Sequence, residues 1–259
     1  MKYGIGHLSV SPCRAEASDS SEQVTQLLFG ETLKVYEKKK SWFRVKTVHD
    51  NYECWMDENQ FKFITQREFE ALIETRPQVV SDLVEVLSKE DGSELMTVIL
   101  GANLPNIENN LVDVKEAVWK FEGNKIDANT VHPKEKLAEH AFMLLNAPYQ
   151  WGGRSPFGID CSGFVQLIYK LNGVFLPRDA SQQASMGQAL SFIEEAEEGD
   201  LAFFDNDEGK ITHVGIILSN NRIIHASGKV RIDKLDHQGI FNQEKRNYSH
   251  RLRLISSIY

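Results

Sequence analysis

Residues 149–171, YQWGGRSPFGIDCSGFVQLIYKL, decide how the rest of the chain is read. Gly152, Gly153, Pro156 and Gly158 break regular structure. Asp160 then sits at an N-cap position, where its carboxylate can accept the free N–H groups of a first helical turn. Phe164, Ile168 and Leu171 follow at helical spacing, with Val165 and Leu167 beside them. The spacing predicts a helix whose first turn holds Cys161. There the unpaired N–H groups and the positive end of the helix dipole favour a thiolate over a thiol. An isolated helical cysteine is ordinarily a buried structural residue. The glycine-rich loop ahead of this one opens the helix end to solvent and to a ligand.

A thiolate needs a base, and residues 211–227, ITHVGIILSNNRIIHAS, supply two histidines in strand context. Val214, Ile216 and Leu218 alternate with His213, Gly215 and Ile217; Asn220 and Asn221 turn the chain, and residues 222–225 run back. A two-residue loop would pair Ser219 with Arg222 and put His213 and His225 on opposite faces. A three-residue loop centred on Asn220 pairs Leu218 with Arg222 and Gly215 with His225, placing the two rings diagonally on one face. Asn tolerates the left-handed backbone such a loop needs. Gly215 would leave room for the His225 ring. In that register His213 serves as base to Cys161 and His225 orients it, which is the nucleophile, base and orienter logic of a cysteine hydrolase.

These stretches, with LPRDASQQ and EEGDLAFF between them, resemble the NlpC-type cell-wall cysteine peptidases throughout residues 131–259. The resemblance implies an α+β chain with a papain-like catalytic domain. It implies hydrolysis of the bond between γ-linked D-glutamate and a diamino acid in peptidoglycan stem peptides. Carried over by position, Cys161 resembles the nucleophile, His213 the base and His225 the third member. Tyr149 matches the tyrosine whose hydroxyl lies near the thiol at the oxyanion position. Asp160 and Ser162 match residues lining the substrate subsite. In relatives of this layout an acidic residue and a tyrosine of the first SH3-like domain bind the free amine of a terminal L-alanine. Tyr52 matches that tyrosine, and Glu22 is the acidic residue chosen. The resemblance thus favours a recycling enzyme acting on freed L-Ala-γ-D-Glu-diamino acid peptides. Rival readings are an amidase or acyltransferase on the same scaffold, and a wall-binding protein without activity.

The length of 259 residues suits two or three domains, and the net charge of −8 argues against nucleic acid and anionic membrane surfaces as partners. No early segment has the basic start and apolar core of a signal peptide, so a cytoplasmic monomer is expected, or an exported one if a signal has been removed. Three cysteines give no disulfide framework; Cys13 and Cys54 read as inert. Cys161, His213 and His225 could by type hold zinc, but no close-spaced ligand pair accompanies them, and no metal or cofactor is expected.

Residues 1–64 alternate in short strands and resemble a bacterial SH3-like barrel. Residues 65–75 read as a helix with Phe69, Leu72 and Ile73 on one face. With that helix, residues 65–130 read as a second, diverged SH3-like barrel. Residues 133–146 read as a helix with Leu137, Ala141, Leu144 and Leu145 inward, opening the catalytic domain at 131–259. Arg178 and Asp179 offer themselves as substrate contacts, against which the plainer reading is an exposed ion pair or a cap. The run at 194–198 reads as a solvated acidic face.

Overall fold

Alternating apolar residues and tight turns dominate the first half of the chain. The computed structural model describes residues 1–75, 77–114 and 117–259. Two units are formed, one from residues 1–131 with 151–156, the other from 132–150 with 157–259.

In the first unit seven strands form one sheet. Thr32–Lys39 and Trp42–Thr47 make a hairpin in which Val35 faces Val45, and Val45 in turn faces Cys54 of Glu53–Asp57. Their inward side chains meet Cys13, Leu27, Leu33 and Phe61 in one apolar cluster. Gln23–Leu28 and Glu53–Asp57 flank Val10–Arg14 and both run antiparallel to it. Helix α1 (Gln66–Glu74) starts at Thr65, whose hydroxyl accepts from the Glu68 N–H while the Glu68 carboxylate accepts from the Thr65 N–H. This reciprocal pairing satisfies two donors of the first turn. Phe69 is buried and stacks on Tyr3 with centroids 4.0 Å apart. Ile73, placed on the same face by its spacing, is exposed, while Phe69 and Leu72 pack into the apolar cluster.

Residues 78–127 carry a four-stranded sheet and a three-stranded sheet. The strands at Val84–Ser88, Leu95–Ile99 and Ala117–Phe121 coincide with the apolar runs of the sequence. Gln78–Val80, Asn103–Leu104, Leu111–Val114 and Lys125–Asp127 are additional, and too short for periodicity to find.

In the second unit helix α2 spans Lys136–Met143, shorter than the 133–146 expected. Asn146 has φ 70°, and Leu145 is exposed rather than inward, because the regular turns end before it. Helix α3 (Cys161–Leu171) is buried along its whole length and packs on Ile211–Leu218 and Arg222–Ser227. Those strands belong to a seven-stranded sheet that closes on itself where Gly239–Asn242 pairs with Asn247–Ser257. Ala202, Phe204, Ile217, Ile223, Leu235, Ile240 and Ile255 fill one cluster. Val214, Ile216 and Ile224 alternate with them and are buried on the other face. With both faces covered, this sheet is a stiff platform for side chains at its strand ends.

Candidate active site

Cys161 opens α3, and Asp160 caps it. The Asp160 carboxylate accepts the Gly163 N–H at 2.7 Å, as an N-cap should. It also carries a cation that sequence reading placed elsewhere. Arg178 donates to both its oxygens, at 3.0 and 2.6 Å, and to the Ser162 hydroxyl at 2.8 Å. Arg178 is buried, so the expected exposed pair with Asp179 is replaced by a buried pair with Asp160. Asp179 caps helix α4 (Ala180–Gln183).

The Cys161 thiol differs from expectation in its ionisation. Burial and the Asp160 carboxylate push it up to about 11, against the pull of the Val214 N–H, Arg178 and the Ser162 N–H. The helix end alone favours a thiolate, but the cap that terminates the helix is an anion beside the sulfur in a dry setting. The resting residue is a thiol. Burial and the neighbouring Cys161 likewise push the Tyr149 phenol up to about 12, so its hydroxyl keeps a proton to donate.

The histidine hairpin has the three-residue loop. Leu218 pairs with Arg222, and Asn220 and Asn221 take φ values of 59° and 53°. A methyl placed on Gly215 would lie 2.8 Å from Cβ of His225, so only glycine leaves the ring its place. His213 Nε2 then lies 2.8 Å from His225 Nδ1. His225 Nε2 lies 3.0 Å from Asp233 Oδ2, and Arg231 donates to both Asp233 oxygens at 2.6 and 3.0 Å.

This chain sets the tautomers. An ionised Asp233 accepts only, so His225 Nε2 carries a proton and His225 Nδ1 accepts from His213 Nε2–H. His213 Nδ1 is left bare, as a base for a thiol requires. Hydrogen bonds from His225 and Arg231 hold Asp233 below the usual carboxylate range although burial opposes them. Burial, with His225 and His250 adding to it, holds His213 well below the usual imidazole range, so it rests neutral.

Sequence reading missed Asp233, Arg231 and His250. Asp233 had a signal: in residues 229–236, KVRIDKLD, it shares a face with the inward Leu235 and is itself buried. His250 lies flat on His213, with centroids 4.1 Å apart and planes 21° apart. Nitrogens of His213, His225 and His250 come within 4.8 Å of one another. They fit a metal poorly. His213 and His225 point nitrogens at each other, His225 spends its second on Asp233, and His250 Nδ1 lies 2.9 Å from the Ser249 hydroxyl. Stacked rings also aim their in-plane lone pairs past one another.

Tyr52 and Glu22 lie in the first unit. They precede Glu53–Asp57 and Gln23–Leu28, whose starts share one end of the sheet beside Arg14. Glu22 accepts the Trp151 indole N–H, and the Tyr52 N–H donates to Thr47 and Asp50. The same unit includes residues 151–156. Arg154 is wholly buried, pairs with both Glu31 oxygens at 2.9 Å and donates to the Gln26 carbonyl at 2.7 Å.

Comparison with known proteins follows the same division. The NlpC/P60 family model matches residues 146–247, and the bacterial dipeptidyl-peptidase Sh3 domain model matches residues 13–61. The chain is 32% identical over 218 residues to the gamma-D-glutamyl-L-lysine dipeptidyl-peptidase of Bacillus subtilis, a match covering 78% of this chain and 71% of that protein. It is 28% identical over 249 residues to dipeptidyl-peptidase 6 of Lysinibacillus sphaericus, covering 86% and 88%. A solved NlpC/P60 family protein from Bacillus cereus superposes over 99% of both chains with a TM-score of 0.85 at 22% identity, which shows a shared fold. Among the described residues no helix is long and apolar enough to cross a membrane.

Proposed function

Because the chain belongs to the NlpC/P60 family of cysteine peptidases, we propose that it cleaves the γ-D-glutamyl-diamino acid bond of peptidoglycan stem peptides with Cys161 as nucleophile. The observation that carries this reading is the relay from Asp233 through His225 to His213, which ends on a bare nitrogen. The Val214 N–H, next in the chain to His213, donates to the Cys161 sulfur. His213 Nδ1 takes the thiol proton as sulfur attacks the γ-carbonyl carbon. The Tyr149 hydroxyl and the N–H groups at the start of α3 face the developing oxyanion. The imidazolium then protonates the leaving amine, the C–N bond breaks, and a thioester remains. Water, deprotonated by the same His213, hydrolyses it.

The finer reading is a cytoplasmic recycling enzyme for freed L-Ala-γ-D-Glu-diamino acid peptides. Asp160, Ser162, Tyr52 and Glu22 are the candidate contacts for the substrate and its free terminal ammonium, which needs an opposite charge on leaving water. Residues 65–130 are read as the short helix plus a second, diverged SH3-like module. Relatives named for gamma-D-glutamyl-L-lysine dipeptidyl-peptidase activity support this reading.

Mass spectrometry of the stem tripeptide before and after incubation tests it. The native enzyme should release the dipeptide and the diamino acid, and Cys161→Ser should release neither. Hydrolysis retained in Cys161→Ser would exclude the cysteine mechanism. An N-acetylated tripeptide should react more slowly, since the acetyl group removes the charge-assisted contacts of the ammonium. Equal rates for the two peptides would refute recognition of the free amine.

A further inference from the structure

The relay explains which proton His213 carries and leaves its ring faces unaccounted for. One face is covered by His250, held in Asn247–Ser257 by the pairing that closes the sheet. The two rings lie 4.1 Å apart and 21° from parallel. Phe204 stands beside both, at 5.7 Å from His213 and 5.9 Å from His250. His225 meets both rings edge-on, at 85° and 84°. Among the described residues His213 thus has three aromatic neighbours, and His250 is the one stacked on it.

We propose that His250 is a positioning residue for the base: its neutral ring fixes the plane of His213 and, through its π face, stabilises the imidazolium formed there when Cys161 loses its proton. This rests on the reading of Cys161 and His213 as nucleophile and base. A cation over an aromatic face is attracted by the ring quadrupole when the centroid lies within about 6 Å, and most strongly where water is excluded. An imidazolium on His213 meets that condition. The partner ring must be uncharged, since two stacked cations would repel.

The surroundings keep His250 uncharged. Burial and the neighbouring His225 push it down to about 4, against the pull of Asp233. Ser249 meets its Nδ1 at 2.9 Å. On its outer side a cavity of about 790 Å³ carries Asp205, Asp207, His237, Tyr248 and Arg251. Arg251 donates to Asp205 at 2.8 Å, and Tyr248 donates to Asp236 at 2.6 Å. His250 has no ion pair among the described residues.

The bland alternative is that His250 merely fills space beside Phe204. Three variants separate the two: His250→Phe keeps volume and face, while His250→Leu and His250→Met keep volume without a face. Two rates are measured at about pH 7, where His250 is neutral. One is alkylation of Cys161 by iodoacetamide, which needs no substrate; the other is hydrolysis of the stem tripeptide, with kcat and KM separated. Melting temperature is followed alongside.

The Leu and Met variants should lose about tenfold in alkylation rate and in kcat, with KM unchanged. His250→Phe should stay within about threefold of the native enzyme. If one apolar variant does not fold, the other still decides. Leu or Met protein with native rates overturns the proposal, and so does a Phe variant as slow as the Leu variant. His213→Ala is the control for the underlying reading. Native alkylation in His213→Ala would remove the base itself, a failure distinct from a silent His250.

Discussion

Replacing Asp233 by Asn removes the charge at the far end of the relay with little change in volume. Asp233 Oδ2 lies 3.0 Å from His225 Nε2, and His225 Nδ1 lies 2.8 Å from His213 Nε2. With the width of one imidazole, the carboxylate stands roughly 8 Å from the His213 ring, where a unit charge is worth about 2 kcal/mol at an effective dielectric constant of about 20. An imidazolium forming on His213 loses that attraction in the variant. The barrier to thiol deprotonation should rise by about 2 kcal/mol, roughly thirtyfold in rate. The Asn amide can also turn its NH₂ toward His225 Nε2, which reverses the tautomers and puts a proton on the wrong nitrogen of His213. Asp233→Leu, with no acceptor at all, should be slower again. The assay is kcat/KM on the stem tripeptide, with melting temperature as the control for folding. A folded Asp233→Asn enzyme within threefold of native kcat/KM would refute the relay.

Arg154→Met should destabilise the first unit by about 3–5 kcal/mol, because it leaves the buried Glu31 carboxylate without its bidentate partner. Adding Glu31→Gln should restore much of the loss in a denaturant titration, and a double variant no better than the single one would count against that origin. Stability should also fall with acid. His213, His225 and His250 are all held below 6.5 in the fold, so the unfolded chain binds protons first and gains ground as pH drops below about 6.5. For His250 that window closes near 4. Melting temperature should therefore decline from pH 7 toward about pH 4, less steeply in His250→Phe, and equal slopes would exclude His250 as a contributor.

What sequence reading reached was local. The cap, the helix behind it and the cysteine in its first turn lie within a dozen residues, so apolar period and turn chemistry locate them. The hairpin holding His213 and His225 is equally local, and its register followed from two asparagines and one glycine. Where local rules compete with burial they misled. The helix end predicted a thiolate at Cys161, and the capping Asp160 in a dry pocket opposes it. Apolar period carried the helix at 133–146 through Leu145, whereas the regular turns stop before it.

The sequence by itself picked out Cys161, His213 and His225 as the candidate nucleophile, base and orienter, because the cap, the turn and the strand alternation that single out each one are local. Only the tertiary structure decided what surrounds them. Asp233 reaches His225 through strand pairing, and Arg178 reaches Asp160 across a loop. His250 meets His213 because Asn247–Ser257 and Ile211–Leu218 both pair with Leu201–Asp205, where Phe204 faces His213 on one side and Leu252 on the other. A polar residue turned inward by such pairing looks, in one dimension, like any solvated residue. Its partner is chosen by three-dimensional register, and spacing along the chain carries no record of it.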